Sequence, residues 1–398
     1  MKKRAIAIRL FLIVFSIAFF AAMTAQGQRQ LPLTPPPAEY AVSGPYTHKN
    51  LTIFLLHGSG QSQGRTPLTL QEAMKRKLVV VRETGDVNRL TIQNRSNQDV
   101  FVQAGDIVKG GQQDRALALD LIVPPKSGKI PIDAFCVEHG RWSRRGGEAV
   151  TAFSASNNAL ASKDLKIAAK AKASQGDVWA NVSKAQEKLA MNMTITSSIL
   201  AVRPSATPAP GRARRGGGPA AAGGGGSFRA GGGPTTGSGS NTGGADLASV
   251  TDRASPSSLQ LTLENKLVKD TANDYVKNLS SIVNGKRDVI GFVFVINGQI
   301  NSADVYSSNA LFAKLWPKML EASAIEAIAE LKSGEKFQPV EGSAVKTFLR
   351  ESQTGKTETK KVTARTSVVK CETEKNLFFE SRDHAQNGKW VHRNYIAK

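Results

Sequence analysis

Cysteine is nearly absent from this chain: two residues in 398, Cys136 and Cys371. That excludes a disulfide-dense scaffold and permits one bridge at most, in an oxidising compartment. Two free thiols, each buried as a small hydrophobe, are the equal alternative. Histidine is scarce as well, with five residues at 48, 57, 139, 384 and 392 and no i, i+4 pair, so a helical two-histidine zinc site is excluded. The one compact mixed cluster is Cys136, Glu138 and His139, and on a strand His139 points away from the other two. No metal and no cofactor is expected.

The familiar catalytic signatures are also missing. No G-x-S-x-G elbow occurs in a structured stretch; Gly237-Ser238-Gly239 falls in a Gly-rich run and lacks the pattern. His57-Gly58-Ser59-Gly60 follows an apolar strand as an oxyanion turn does, but Ser59 stands two residues from His57, poor geometry for a triad. Gly355-Lys356-Thr357 looks like the end of a phosphate loop, yet Arg350 occupies the place of its first glycine. Gly58 and Gly60 lack a third glycine at Gln63, which removes the dinucleotide fingerprint.

What the chain has is an address. Lys2, Lys3, Arg4 and Arg9 precede an apolar stretch over 10–23, and Thr24-Ala25 offers a small-residue cleavage site, so residues 1–25 read as a signal peptide. The stretch is shorter than the ~20 residues of a membrane span. An uncleaved N-terminal anchor is the competing reading; with no cysteine after the run, a lipid anchor there is disfavoured. A secreted or periplasmic protein with no membrane span after cleavage is expected.

The formal net charge is +21, from 53 basic and 32 acidic residues. Such a balance favours an anionic small molecule or a polyanion as partner. The lysines are scattered rather than gathered in a stripe, so a solubilising basic surface outweighs that reading, and no sequence-specific nucleic-acid recognition is expected.

Residues 26–50 are proline-rich and read as an extended leader. The first half of the folded part, 51–202, opens with an apolar strand over 51–56. Thr69 with Glu72 forms a capping box for a short helix reaching 77. Strands are expected over 78–82, 89–94, 99–103, 116–123 and 130–137, an antiparallel meander. From 159 the pattern becomes helical, with Trp179, Val182, Leu189 and Met193 on one face. Residues 203–258 change composition: 15 of the 36 glycines lie in 203–245, with no apolar period, which predicts a disordered Gly/Pro/Arg-rich linker. The second half, 259–398, reads as a helix over 259–283, a strand over 289–296 turning at Asn297-Gly298 into a partner over 299–306, and a helical stretch over 310–332 whose second segment starts at Pro317. Short strands and turns follow from 345. The fold class is α+β: a β-rich N-terminal half followed by helices, then a helix–hairpin–helix C-terminal half, split by the Gly-rich insertion.

The densest chemistry lies in Gly105-Asp106-Ile107-Val108-Lys109-Gly110-Gly111-Gln112-Gln113-Asp114-Arg115 and in Phe135-Cys136-Val137-Glu138-His139-Gly140-Arg141-Trp142. Its glycines allow tight backbone and close approach by a ligand. Arg115 and Arg141 are fork-shaped donors for phosphate or carboxylate, and Trp142 can stack on a ring. The candidate ligand-binding set is Asp106, Gln112, Gln113, Arg115, Glu138, Arg141 and Trp142. The catalytic candidates are Glu138 as general base and Cys136 as nucleophile. Against these stands a structural reading, slightly the heavier: Asp106, Arg115, Glu138 and Arg141 as a buried ionic network fixing two loops.

These two runs, with Ile122-Val123-Pro124-Pro125, Lys129-Ile130-Pro131-Ile132, Ser174-Gln175-Gly176-Asp177-Val178-Trp179 and the stretch Ile290 to Gln299 leading to Trp316, resemble the ARG-and-rhodanese-phosphatase-superfamily-associated protein domain, over roughly 51–200 and 259–330. The resemblance implies company with ADP-ribosylglycohydrolases and rhodanese-like phosphatases, hence chemistry of ADP-ribose or related nucleotides. It carries over no catalytic residue. The export address and the Gly-rich insertion depart from the usual pattern. The sequence thus leads to an exported binding module for an anionic or phosphate-bearing ligand, with a hydrolase or transferase and a non-catalytic cell-envelope interaction protein as alternatives.

Overall fold

A computed structural model of the chain describes residues 40–60, 64–160, 162–201 and 247–398. The signal peptide, most of the leader and residues 203–246 of the expected linker lie outside the described residues. Strands β1 (Ala41–His48), β2 (Leu51–His57) and β3 (Leu68–Thr69) lead into helix α1 (Leu70–Lys75). Next come β4 (Val79–Glu83), β5 (Arg89–Asn94), β6 (Val100–Val102), β7 (Asp106–Gly110), β8 (Arg115–Leu117), β9 (Leu121–Val123), β10 (Ile130–Cys136) and β11 (Phe153–Ala159). Helix α2 (Lys163–Lys166), a π-helical turn (Ile167–Lys172) and α3 (Gln175–Ala201) close the first half. The second half runs through α4 (Leu259–Glu264), α5 (Lys266–Leu279), β12 (Val289–Ile296), β13 (Gln299–Tyr306), α6 (Asn309–Ala329), α7 (Gly342–Glu351), β14 (Lys356–Lys361), β15 (Thr366–Glu372), β16 (Asn376–Asp383) and β17 (Lys389–Ala397). The fold is α+β with extensive antiparallel sheets.

Three sheets organise the strands. The largest has eight, in the order β1-β2-β12-β13-β17-β16-β15-β14, all antiparallel. A six-stranded sheet runs β11-β7-β8-β10-β5-β4, and a small one runs β3-β6-β9. The apolar run over 289–296 is buried at every position because β12 sits centrally in the large sheet and is covered on both faces. Alternation sorts the neighbouring strand: Ile53 and Leu55 pack with Phe292, Phe312 and Trp316 on one face, while Phe54 and Leu56 pack with Val293, Val345 and Phe348 on the other. The β12–β13 hairpin turns at Asn297 and Gly298, with φ of 52° and 71° as a two-residue turn requires. At Gly298 an added Cβ would also lie 2.6 Å from the Gln338 carbonyl oxygen. The capping box closes in both directions, Thr69 Oγ1 accepting from Glu72 N–H and Glu72 Oε2 from Thr69 N–H.

The structure departs from the sequence reading in several places. Residues 41–48, read as leader, form edge strand β1, because pairing with β2 satisfies their backbone groups. The strand expected over 116–123 breaks into β8 and β9, because Asp120 turns inward to accept the Ala104 N–H. Pro317 starts no new segment: α6 runs through it unbroken, held by buried Leu311, Phe312, Leu315, Trp316, Met319 and Leu320 around it, and this burial outweighs the lost backbone bond. Residues after 342 form α7 and then four long strands. Residues 247–258 are ordered, with a 3₁₀ turn (Leu247–Ser249) and buried Ser255 and Ser258.

Candidate functional site

The two charged runs do meet. Strand β10 pairs with β8, placing Cys136 beside Arg115, and the Val137 N–H donates to the Asp114 carbonyl. Gly111 supplies the close approach: a Cβ there would lie 2.5 Å from Glu83 Oε1 and 2.7 Å from the Phe153 ring, at a φ of 59°. They meet in the interior and not across an open cleft. Asp114, Gln113 and Glu138 have no exposed surface, and Arg115 has 1 %.

Ions and hydroxyls close the network. Glu138 Oε1 and Oε2 accept from Arg141 Nε and Nη2, each at 2.6 Å, and Oε2 also accepts the Asp114 N–H at 3.0 Å. Arg145 grips Asp114 with a fork, Nη1 to Oδ2 and Nη2 to Oδ1, both at 2.7 Å, and donates to Glu148 as well. Ser255 donates to Glu138, and Ser258 Oγ donates to Asp114 Oδ2 at 2.8 Å. Burial opposes ionisation of Glu138, but Arg141, Ser255 and the Asp114 N–H outweigh it and hold its carboxyl below the usual range. At Asp114 burial, joined by the Glu138 charge, prevails over Arg145 and raises the carboxyl. Pairs of this kind are costly to bury and more costly to break.

This geometry corrects the expected network. Asp106 belongs elsewhere: it accepts from Lys318 of α6 and from the Gln103 N–H. Arg115 donates to the Gln113 carbonyl at 2.7 Å and lies 3.6 Å from Glu83. Their places are taken by Asp114 and Arg145, with Ser255 and Ser258 from a stretch read as linker. The Ser-Pro-Ser-Ser-Leu run ahead of α4 carried the available signal, since Ser258 is its N-cap. For an incoming anion, Arg141 has little to offer: its donors go to Glu138 and to the carbonyls of Gly110, Gly111 and Ser143. The Gln112 N–H is held by Glu83, the Gln113 carboxamide and Arg115 Nε have no partner among the described residues, and Trp142 stands 54 % exposed. Burial pushes the Cys136 thiol up to about 11, so it stays protonated at neutral pH. Both cysteines are free.

A second buried cluster was invisible in the sequence. His392 of β17 lies between two carboxylates, Nδ1 2.7 Å from Asp120 Oδ2 and Nε2 3.0 Å from Asp304 Oδ1, and stacks on Tyr306 at 4.7 Å. Burial works against its charge, but Asp120 and Asp304 prevail and raise its pKa to about 8. Asp304 Oδ1 also accepts from Asn394 Nδ2 at 3.0 Å, and Asn394 Oδ1 accepts from Lys170 Nζ at 2.7 Å. Lys170 sits on the π-helical turn, a local widening that recurs at functional sites, with its ammonium 4.5 Å from the centre of the Phe379 ring. Burial lowers its pKa against the pull of Asp120 and Asp304.

Lys170 and Phe379 line a cleft of about 440 Å³ between the six-stranded sheet and strands β14–β16, together with Arg89, Phe135, Lys360 and Lys370. Lys360 is paired with Asp133 at 3.0 Å and Lys370 with Glu372 at 2.8 Å. Arg89 is exposed, and its guanidinium has no partner among the described residues. Arg89 and Lys170 thus make no direct ion pair in the cleft, which Asp86, Asp133 and Glu358 also line, beside two aromatic rings.

Among the described residues no group of three or more His, Cys, Asp or Glu is placed to hold a metal ion, and no helix is long and apolar enough to cross a membrane. No curated protein and no solved structure matches the chain. The model of one family, described as the ARG and Rhodanese-Phosphatase-superfamily-associated Protein domain, matches residues 39–396, so it takes in β1, both charge clusters and the cleft. The chain belongs to the ARG and Rhodanese-Phosphatase-superfamily-associated Protein domain family.

Proposed function

We propose that the protein is a binding module for an anionic small molecule, held in the cleft lined by Arg89 and Lys170. The observation that carries this reading is the hydrogen-bonded chain from Lys170 through Asn394 and Asp304 to His392, which fixes a cation at the cleft wall without spending it on a carboxylate. The free fork of Arg89 suits phosphate or carboxylate, and Phe135 and Phe379 suit an apolar or aromatic body. The Arg115 and Arg141 pair, the first choice from sequence, serves the fold instead. With the export address expected of residues 1–25, the ligand is met outside the cytoplasm. The family's association makes ADP-ribose the first ligand to titrate.

Calorimetry with ADP-ribose, AMP and inorganic pyrophosphate tests the proposal. At least one binds, more weakly as salt rises, and Arg89→Ala weakens it at least about tenfold. No heat from any of the three, or unchanged affinity in both Arg89→Ala and Lys170→Met, refutes it.

A further inference from the structure

Three neighbouring strands of the large sheet bring a serine, a histidine and an aspartate into line. Ser43 Oγ lies 2.6 Å from His57 Nε2, and His57 Nδ1 lies 2.9 Å from Asp288 Oδ2. Ser43 stands on β1, His57 ends β2 and Asp288 immediately precedes β12, in the strand order β1-β2-β12. The register of β1 shifts between Ser43 and Tyr46, a bulge of the kind that re-aims side chains. The Gly58 N–H donates to the Asp288 carbonyl at 2.9 Å, pinning the aspartate beside the histidine. Ser59, two residues from His57, is poorly placed as its partner; across the strands the partner is Ser43.

Charged groups stand at both ends of this row, Lys286 at one and Asp288 at the other. Lys286, which can only donate, gives a hydrogen bond to Tyr46 Oη at 3.1 Å. Tyr46 is hydrogen-bonded to Ser43, and that bond together with Lys286 lowers its pKa. Asp288, ionised, can only accept, and its bond from His57 holds its carboxyl below the usual range. Donation by His57 Nδ1–H to the Asp288 carboxylate leaves Nε2 as the ring nitrogen facing Ser43 Oγ. His57 then has the tautomer a general base needs, with its free electron pair toward the serine hydroxyl.

We propose that Ser43, His57 and Asp288 form a hydrolytic centre for carboxylic esters carrying a short apolar acyl group. Ser43 Oγ attacks the acyl carbon while His57 Nε2 takes its proton. The tetrahedral adduct collapses, the alkoxide leaves with that proton, and the acyl group stays on Ser43. Water attacks next with His57 as base, releasing the carboxylic acid and restoring the serine. The Lys286 ammonium, which donates to Tyr46 Oη, places positive potential on the side of the forming oxyanion. Lys286 also lines a neighbouring cavity of about 540 Å³ that Ser43 and His57 do not line; Val276, Phe312, Trp316 and Leu320 give it apolar wall for an acyl chain, beside Arg287 and Asn309. Asp288 is a positioning residue acting through His57. This centre is distinct from the Lys170 cleft and does not depend on the ligand proposed there.

The test uses the full chain with p-nitrophenyl butyrate as substrate and a fluorophosphonate as covalent label. The expected result is steady hydrolysis that falls at least about a hundredfold in Ser43→Ala and in His57→Gln, with the label on Ser43 by peptide mapping. Asp288→Asn lowers kcat more than KM and moves the acid limb of its pH profile, which a merely structural role would not do. Ser43→Ala removes one half-buried hydroxyl, so circular dichroism confirms that it folds. Hydrolysis equal in wild type and Ser43→Ala, or a label found away from Ser43, overturns the proposal.

Discussion

Raising the pH should strip stability from the core through one residue, His392. The imidazole is 1 % exposed and clamped between Asp120 and Asp304, with Lys166 and Lys170 adding positive charge to the same pocket and Tyr306 stacked on the ring. Its pKa rises from an ordinary 6.5 to about 8 in the fold. The folded state holds the proton more tightly than the unfolded state, so this contribution is complete below about pH 6.5 and is lost as the pH rises through about 8. At ~1.4 kcal/mol per pK unit the shift contributes on the order of 2 kcal/mol. Lys170, whose pKa burial lowers, titrates in the opposite sense. The assay is urea unfolding at pH 6, 7, 8 and 9, comparing wild type with His392→Asn. Wild type loses about 2 kcal/mol more than the variant across that range. The variant is weaker throughout, by roughly 3–5 kcal/mol at pH 6, because it leaves two buried carboxylates without their cation. Equal losses in the two proteins would refute the reasoning, since the pH dependence would then lie elsewhere.

Arg145→Met should cost roughly 3–5 kcal/mol, read as a lower urea midpoint, because it leaves Asp114 buried without its fork; Asp114→Asn in the same chain should recover part of the loss. Neither cysteine should react with Ellman's reagent in the native protein, and both should react in denaturant without reductant, since both are free and buried; a disulfide seen by mass would contradict this. Gly355→Ala should destabilise by about 1–3 kcal/mol, because the new Cβ would lie 2.0 Å from the Glu372 carbonyl oxygen, which strand pairing holds in place; an unchanged melting curve would count against the packing described.

Much of the fold was legible from local rules. The Thr69–Glu72 capping box, the Asn297-Gly298 turn and the buried β12 each depend on residues within a few positions, so propensity and period suffice to find them. Edge strand β1 was missed because its Ser, Gly, Pro and Thr read as loop until β2 pairs with them. Pro317 misled because its penalty is local and the burial around it is not. At the candidate site the charge-rich runs were found and their use was not. Arg115 and Arg141 look free in a sequence, and only their surroundings reveal which carbonyls and carboxylates take their donors.

The sequence by itself determined the α+β class, the family and the chemical character of the charged runs, because these are properties of residue type and short spacing. The tertiary structure decided the rest. It placed Asp120 against His392, 272 positions away, and Ser258 against Asp114, 144 positions away. It also brought Ser43 of β1 and His57 of β2 together with Asp288, the residue before β12, through a strand order that no local pattern encodes. The reason is one of range: propensity and capping act over a turn or two, whereas burial pairs whichever polar groups the packed sheets bring together and favours arrangements in which most of them find a partner.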